Sequence, residues 1–168
     1  ASVSRTAGFS TIAIGNFYSP TVLLVTVLMF IGTAPGSTGG GIKTNTFGII
    51  ISAVMALIQG KKDVIIYYRR VPIEVVYRSF ILFFIYTSLI LIITWFLTIF
   101  EPYPFLSLLF ETTSAFSTTG LSLGITSELS DLGKSFIIFI MFLGRVGMLT
   151  FIMAFMRRKN NIGSYHYP

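Results

Sequence analysis

The apolar positions of this chain fall into blocks of two lengths. Residues 79–100 and 136–156 are nearly unbroken apolar runs of about 20 residues, about 30 Å as helix and long enough to cross a bilayer. Residues 21–31 and 47–58 are just as apolar but too short to span alone, and 104–116 is a third half-length run. Polar punctuation sets the helix ends. Ser19 before Pro20 predicts a start, with serine as N-cap and proline at the first helical position. Pro72 opens a helix over 73–100, Pro102 and Pro104 stop it, and Ser130 or Asp131 is placed to cap a last helix over 131–157.

Two interruptions of the apolar pattern stand out. The first, residues 33–44, holds Pro35, Gly36, Ser37, Thr38, Gly39, Gly40, Gly41, Ile42 and Lys43. Chain this rich in glycine does not stay helical, and irregular backbone at membrane depth is tolerated only where protein buries it or a wet cavity borders it. Residues 20–59 are therefore predicted to make one crossing broken by a loop at 33–44. The competing reading is a short cytoplasmic loop between two re-entrant half-helices.

The second interruption is residues 116–124, where Phe116 leads into Ser117, Thr118, Thr119, Gly120, Leu121, Ser122, Leu123 and Gly124. A fainter copy lies near the start at an offset of 112 residues, aligning Thr6 with Thr118, Gly8 with Gly120 and Ser10 with Ser122. A long apolar segment follows each copy, as expected of one recurring unit. If a half-helix ends at Phe116 and extended chain follows, backbone carbonyls can coordinate dehydrated monovalent cations, as in selectivity filters. Gly120 and Gly124 permit the unusual backbone angles, and the hydroxyls of Thr118, Thr119 and Ser122 supply oxygens or brace the loop. The carboxyl end of the half-helix would add partial negative charge. The bland alternative is a small-residue packing loop.

Composition and charge narrow the class. Hydrophobic residues make up 54% of the chain and charged residues 11%, which reads as an integral membrane protein. The net charge of +6 is sorted along the sequence. Lys61, Lys62, Arg69, Arg70, Arg78, Arg157, Arg158 and Lys159 flank the apolar blocks at one set of ends, against only Asp63 and Glu74, and these ends are predicted to be cytoplasmic. Glu101, Glu111, Glu128 and Asp131, against Lys134, suit the outer face. The basic excess thus calls for no nucleic-acid partner. The connector 60–72 mixes Ile65, Ile66, Tyr67 and Tyr68 with basic residues, and suits a segment at the cytoplasmic interface or a solvated turn.

With no cysteine there is no disulfide or thiolate metal site. The glycine loop is not a Walker motif, because Ile42 separates Gly41 from Lys43 and no strand pattern precedes it. Arg145 falls near the centre of the last span, where an arginine without partners costs roughly 2.5 to 3.5 kcal/mol on insertion scales. The carbonyls of the 36–41 loop are its candidate partners, and a cation there would also raise a barrier to a passing cation. Lys43 is read as a weaker gate candidate that can snorkel to the cytoplasmic face. The chain opens without methionine or a signal pattern, which gives the expectation of a longer protein.

Taken together, Arg5 to Phe9, the loop from Pro35 to Thr44, Ser114 to Phe116 leading into Thr118 to Ser122, and Arg145 resemble the pore-forming subunit of the Trk/Ktr/HKT superfamily of potassium transporters, most nearly the bacterial Ktr type. The resemblance covers nearly every residue. It implies an all-α integral membrane protein of helix, re-entrant pore loop and helix repeats, with one transmembrane helix broken by the glycine-rich loop. It assigns residues 1–59 to the end of a third repeat, with filter strand 4–10, and 60–72 to the cytoplasmic connector. Residues 73–159 become a fourth repeat, with pore helix 104–116, filter 117–124 and helix 131–157, and 160–168 a cytoplasmic tail in which His166 is read as a solvated or packing residue rather than a ligand.

The ion-filter residues it implies are Thr6, Ala7, Gly8, Phe9, Thr118, Thr119, Gly120 and Leu121, which hold K+ through backbone carbonyls. The gate residues are Gly36, Ser37, Thr38, Gly39, Gly40, Gly41, Lys43 and Arg145. No covalent cofactor is expected, and Na+ is a candidate coupling ion. The implied partners are the missing amino-terminal repeats or a partner chain, a second copy in a homodimer, cytoplasmic nucleotide- or NAD-binding regulatory subunits, and the lipid of the cell membrane, with the carboxyl terminus cytoplasmic. A scaffold half that needs a partner chain to make the pore is the alternative.

Overall fold

The computed structural model describes residues 6–10, 14–32, 34, 36, 39–61, 63–66 and 69–146. Five helices carry it: α1 (Ser19–Phe30), α2 (Thr44–Ile58), α3 (Ile73–Phe100), α4 (Phe105–Ser117) and α5 (Asp131–Val146). The stretch 147–157 of the last expected span, and the tail, lie outside the described residues. Among the described residues one helix, α3, is long and apolar enough to cross a membrane.

The short helix α4 organises the rest. It packs against α1, α3 and α5, and every residue from Glu111 to Ser117 is buried. It feeds two cores. Leu108, Ala115 and Phe116 pack with Ile90, Ile93 and Leu97 of α3 and Ile137 and Ile140 of α5. Phe110 packs with Val22 and Met29 of α1, with Ile14 just ahead of α1 and with Leu121 of the 116–124 stretch.

The chain path follows from its helix stops. At the end of α3 the Glu101 N–H still donates to Leu97 O at 2.9 Å, after which Pro102 and Pro104 have no N–H to offer. Pro104 stands at the N-cap position of α4. Past α4 the chain runs back alongside it, since Leu123 N–H reaches Glu111 in the middle of the helix. It then returns to the level of the α3–α4 link, where Tyr103 Oη donates to Glu128 at 2.8 Å and Ser130 bonds Glu101. Ser130, not Asp131, caps α5: its Oγ accepts from Gly133 N–H at 3.1 Å.

Two expectations are corrected. Tyr18, not Ser19, occupies the N-cap position of α1, with φ −64° and ψ 146°, and Pro20 sits one place deeper. That costs little, because a first-turn N–H has no acceptor within the helix. Helix α4 covers Phe105–Ser117, one residue later at each end than expected. The connector forms a two-residue antiparallel ribbon, β1 (Ile65–Ile66) and β2 (Arg69–Arg70), pairing Ile65 with Arg70 and Ile66 with Arg69, and Arg70 also pairs with Asp63. The β-branched isoleucines favour the extended form.

Helices α1 and α2 meet where the glycine loop leaves and returns. Ile42 N–H donates to Phe30 O at 3.2 Å, and Ile31 and Ile42 form a parallel bridge. The loop therefore closes on itself between two half-length helices.

Candidate functional site

The interrupted stretch after α4 begins with an unusual cap. Thr118 takes the left-handed conformation, its N–H donates to Ala115 O at 3.2 Å, and Thr119 N–H donates to Ser114 O at 3.0 Å. This is the Schellman pattern, in which glycine is the ordinary occupant of the left-handed position. A β-branched threonine there is strained by an amount on the order of 1–3 kcal/mol and persists only where neighbours enforce it.

The same signature recurs in the early copy. Thr6 has φ 49° and Gly8 φ 68°, while Thr118 has φ 55° and Gly120 φ 82°. The aligned Thr-x-Gly pairs thus share a backbone form at positions 112 residues apart. They also touch: a Cβ added to Gly8 would stand 2.3 Å from Thr119 O, so no residue but glycine fits there unshifted. Around Gly120 there is open space. Leu121 is buried, whereas Phe9 is 84% exposed and Ala7 is exposed.

The hydroxyls divide the bracing. Thr119 Oγ1 lies 2.8 Å from Ser117 Oγ, which in turn donates to Thr113 O at 2.7 Å. Thr118 Oγ1 accepts from Gly40 N–H at 2.9 Å, tying this stretch to the glycine loop. The loop sits directly against the end of α4. Phe116 O is wedged between two glycines, 2.5 Å from a Cβ placed on Gly40 and 2.0 Å from one placed on Gly144.

Below that seam a cavity of about 290 Å³ is lined by Gly39, Gly40, Gly41, Ile42, Lys43, Thr46, Leu82, Tyr86, Gly144, Arg145 and Val146. The structure thus gathers Arg145 and the glycine loop around one space. Lys43 does not extend away, because its Nζ donates to Gly39 O within the loop. Gly36 is described, with φ 84° and open surroundings, whereas Ser37 and Thr38 lie outside the described residues. Tyr86 packs edge-on against Phe116 at 5.0 Å between ring centres, linking α3 to the end of α4.

Two residues counted in the sequence only as outer-face charges prove to be buried struts. Glu101, 6% exposed, accepts from Ser130 N–H at 3.0 Å and Ser130 Oγ at 2.6 Å, joining α3 to the start of α5. Glu111, 5% exposed, takes hydrogen bonds from three residues of the returning chain. The available signal was a lone acidic residue inside an apolar half-helix, which calls for a partner. Outside the helices, Tyr103 is held above the ordinary tyrosine range. The hydrogen bond to Glu128 favours the protonated phenol, with smaller contributions from desolvation and from the charges of Glu128 and Glu101.

Among the described residues no group of three or more His, Cys, Asp or Glu is gathered to hold a metal ion. The oxygens along the stretch itself are backbone carbonyls and hydroxyls, the set suited to weakly held, monovalent cations.

Comparison with known proteins places the fold and the family. Over 165 residues the chain is 41% identical to "Ktr system potassium uptake protein D" of Bacillus subtilis, covering 98% of this chain and 36% of that protein. It is 38% identical over 164 residues to "Ktr system potassium uptake protein B" of the same organism, with the same two coverages. To "Potassium/sodium uptake protein NtpJ" of Enterococcus hirae it is 36% identical over 169 residues, 98% of this chain and 38% of that one. The chain therefore spans somewhat more than a third of the length of these relatives.

The crystal structure of the potassium transporter TrkH from Vibrio parahaemolyticus superposes with a TM-score of 0.76 at 22% identity, over 90% of this chain and 34% of that one. That likeness shows a mostly helical membrane-transporter fold. The family model for "TrkH: Cation transport protein" matches residues 1–163, so the chain belongs to the TrkH family of cation transport proteins, a family of transporters and not of enzymes.

Proposed function

We propose that this chain forms two adjacent walls of a potassium-uptake pore, together with the loop that gates it. The carrying observation is the contact between the two Thr-x-Gly copies, alike in backbone and touching at Gly8 and Thr119 O. Two like strands side by side are what a filter of repeated walls requires, and relatives named as potassium uptake proteins favour K+ as the ion. The backbone carbonyls of Thr6, Ala7, Gly8, Phe9, Thr118, Thr119, Gly120 and Leu121 replace the hydration shell of K+. Na+ is the candidate coupling ion, in keeping with the potassium/sodium relative.

In this reading α1 and α2 are two halves of one crossing, and α4 with its return is a re-entrant pore loop. Gly36, Ser37, Thr38, Gly39, Gly40 and Gly41 close the pathway under the filter, with Lys43 and Arg145 bordering the cavity. The hydrogen bond from Gly40 to Thr118 supports this placement, since it sets the loop against the first residue of the filter. The remaining walls come from further repeats of a longer protein or from a partner chain. The pore lies in the cell membrane with its carboxyl end cytoplasmic, pairs as a homodimer and is regulated by cytoplasmic nucleotide- or NAD-binding subunits.

Gly120→Asp in the complete transporter tests the reading. Asp disfavours the left-handed backbone at φ 82° less than most residues but adds a carboxylate to the filter wall. Potassium-dependent growth and K+ flux are expected to vanish while membrane insertion and abundance persist. Intact flux would defeat the pore, and loss of assembly before any loss of flux would point to a scaffold.

A further inference from the structure

We propose that Glu111 is a positioning residue that sets the geometry of the filter and hence its discrimination between K+ and Na+. This rests on the pore reading above. Glu111 lies mid-way along α4 and is 5% exposed, yet its carboxylate bonds the returning chain rather than α4 itself. Its Oε1 accepts from Ser122 Oγ at 2.7 Å and from Leu123 N–H at 2.8 Å, and its Oε2 accepts from Thr126 Oγ1 at 2.7 Å. Ser122 Oγ also accepts from Gly124 N–H at 2.9 Å, carrying the brace one residue further.

The filter stretch is therefore fixed at two points. At its inner end Thr118 is held by the turn that closes α4 and by Gly40. At its outer end Ser122 and Leu123 are held by Glu111, and Leu123 O is flanked on the other side by Gly15, whose added Cβ would stand 3.2 Å away. Gly120 lies between the fixed points with nothing within 4 Å of an added Cβ, and its Cα is bordered by Gly8, whose added Cβ would stand 3.6 Å away. The separation of the two anchors sets how far it can shift along the stretch. Coordinating oxygens act through their number and spacing, so slack at one anchor alters ion preference before it unfolds the helices. Charge-assisted bonds suit the task, being shorter and about twice as strong as neutral ones.

The test uses the complete transporter in liposomes, with the K+/Na+ flux ratio and amide hydrogen exchange at Leu123 as readouts. E111A is expected to lower the ratio about tenfold and to speed exchange at Leu123, as loss of bonds to a buried carboxylate implies. E111Q keeps one carbonyl oxygen for Ser122 and Leu123 and offers its amide to Thr126, so it is expected to recover most of the ratio. T126V and S122A each remove one donor and are expected to lower the ratio by about threefold; they carry the test if E111A does not accumulate. A ratio equal to wild type in conducting E111A, or in both single-donor variants, overturns the proposal, even where abundance falls. A wild-type protein that carries no K+ at all defeats the pore reading instead, and exchange at Leu123 still reports whether the brace exists.

Discussion

Helices α3 and α4 lie side by side and differ in how far their polar groups reach. The 28-residue α3 is mostly apolar beyond Glu74 and Arg78 near its start and leaves much of that surface uncovered, including Phe84 at 72% exposure and Trp95 at 60%. Four of its hydroxyls are satisfied within the helix, those of Ser79, Thr87, Thr94 and Thr98, each bonding a carbonyl four residues back. The 13-residue α4 buries Glu111, Thr112, Thr113, Ser114 and Ser117, and its Glu111 and the Thr118 that follows it reach other parts of the chain. In water the apolar helix would be inside. Here the surroundings accept hydrocarbon and refuse unpaired polar groups, so polarity collects where partners can be built. The lesson is one of rank: α3 packs one face on α4 and leaves the rest open, whereas α4 is the hub that fixes the site.

If that contrast is right, substitutions should hurt more the closer they lie to α4. The largest effect is expected at the seam between α5 and the end of α4. In Gly144→Ala the new methyl meets Phe116 O, a backbone atom at 2.0 Å, and cannot be relieved by a side-chain rotation. A stability loss of about 3 kcal/mol, or failure to accumulate, is expected from thermal unfolding in detergent. A wild-type midpoint would mean the helices are not seated as described.

Glu101→Ala removes the strut between the end of α3 and the start of α5, stranding the Ser130 N–H. About 2 kcal/mol is expected in the same assay, with Glu101→Gln milder because one carbonyl oxygen remains. Phe84→Ala on the open side of α3 should cost least, within about 0.5 kcal/mol, since no cavity is left behind. A loss there as large as that of Glu101→Ala would show that a partner surface covers α3 and would erase the contrast.

Much of the helix layout was legible because it depends on local chemistry. Pro102 and Pro104 lack the donor a helix needs, and α3 ends just before them at Phe100. The glycines of the 36–41 loop break the apolar run between α1 and α2, and the threonine and glycine spacing marked two stretches whose backbones do match. The misjudged parts were set by neighbours. Ser19 has a capping side chain but not the capping position. Glu101 and Glu111 were counted by charge, although their burial follows from which segments return beside them.

By itself the sequence determined where the backbone must break and which spans must be apolar, because proline, glycine and hydrocarbon length act within a few residues. Only the tertiary structure decided what meets at those breaks. The Gly40 N–H and the Thr118 hydroxyl are 78 residues apart, and the two Thr-x-Gly copies 112. Hydrogen bonds and glycine contacts across such distances depend on packing geometry, which no local preference encodes. The motif at residues 116–124 is thus written in the sequence, and its hold on the glycine loop, on Glu111 and on its own copy belongs to the fold.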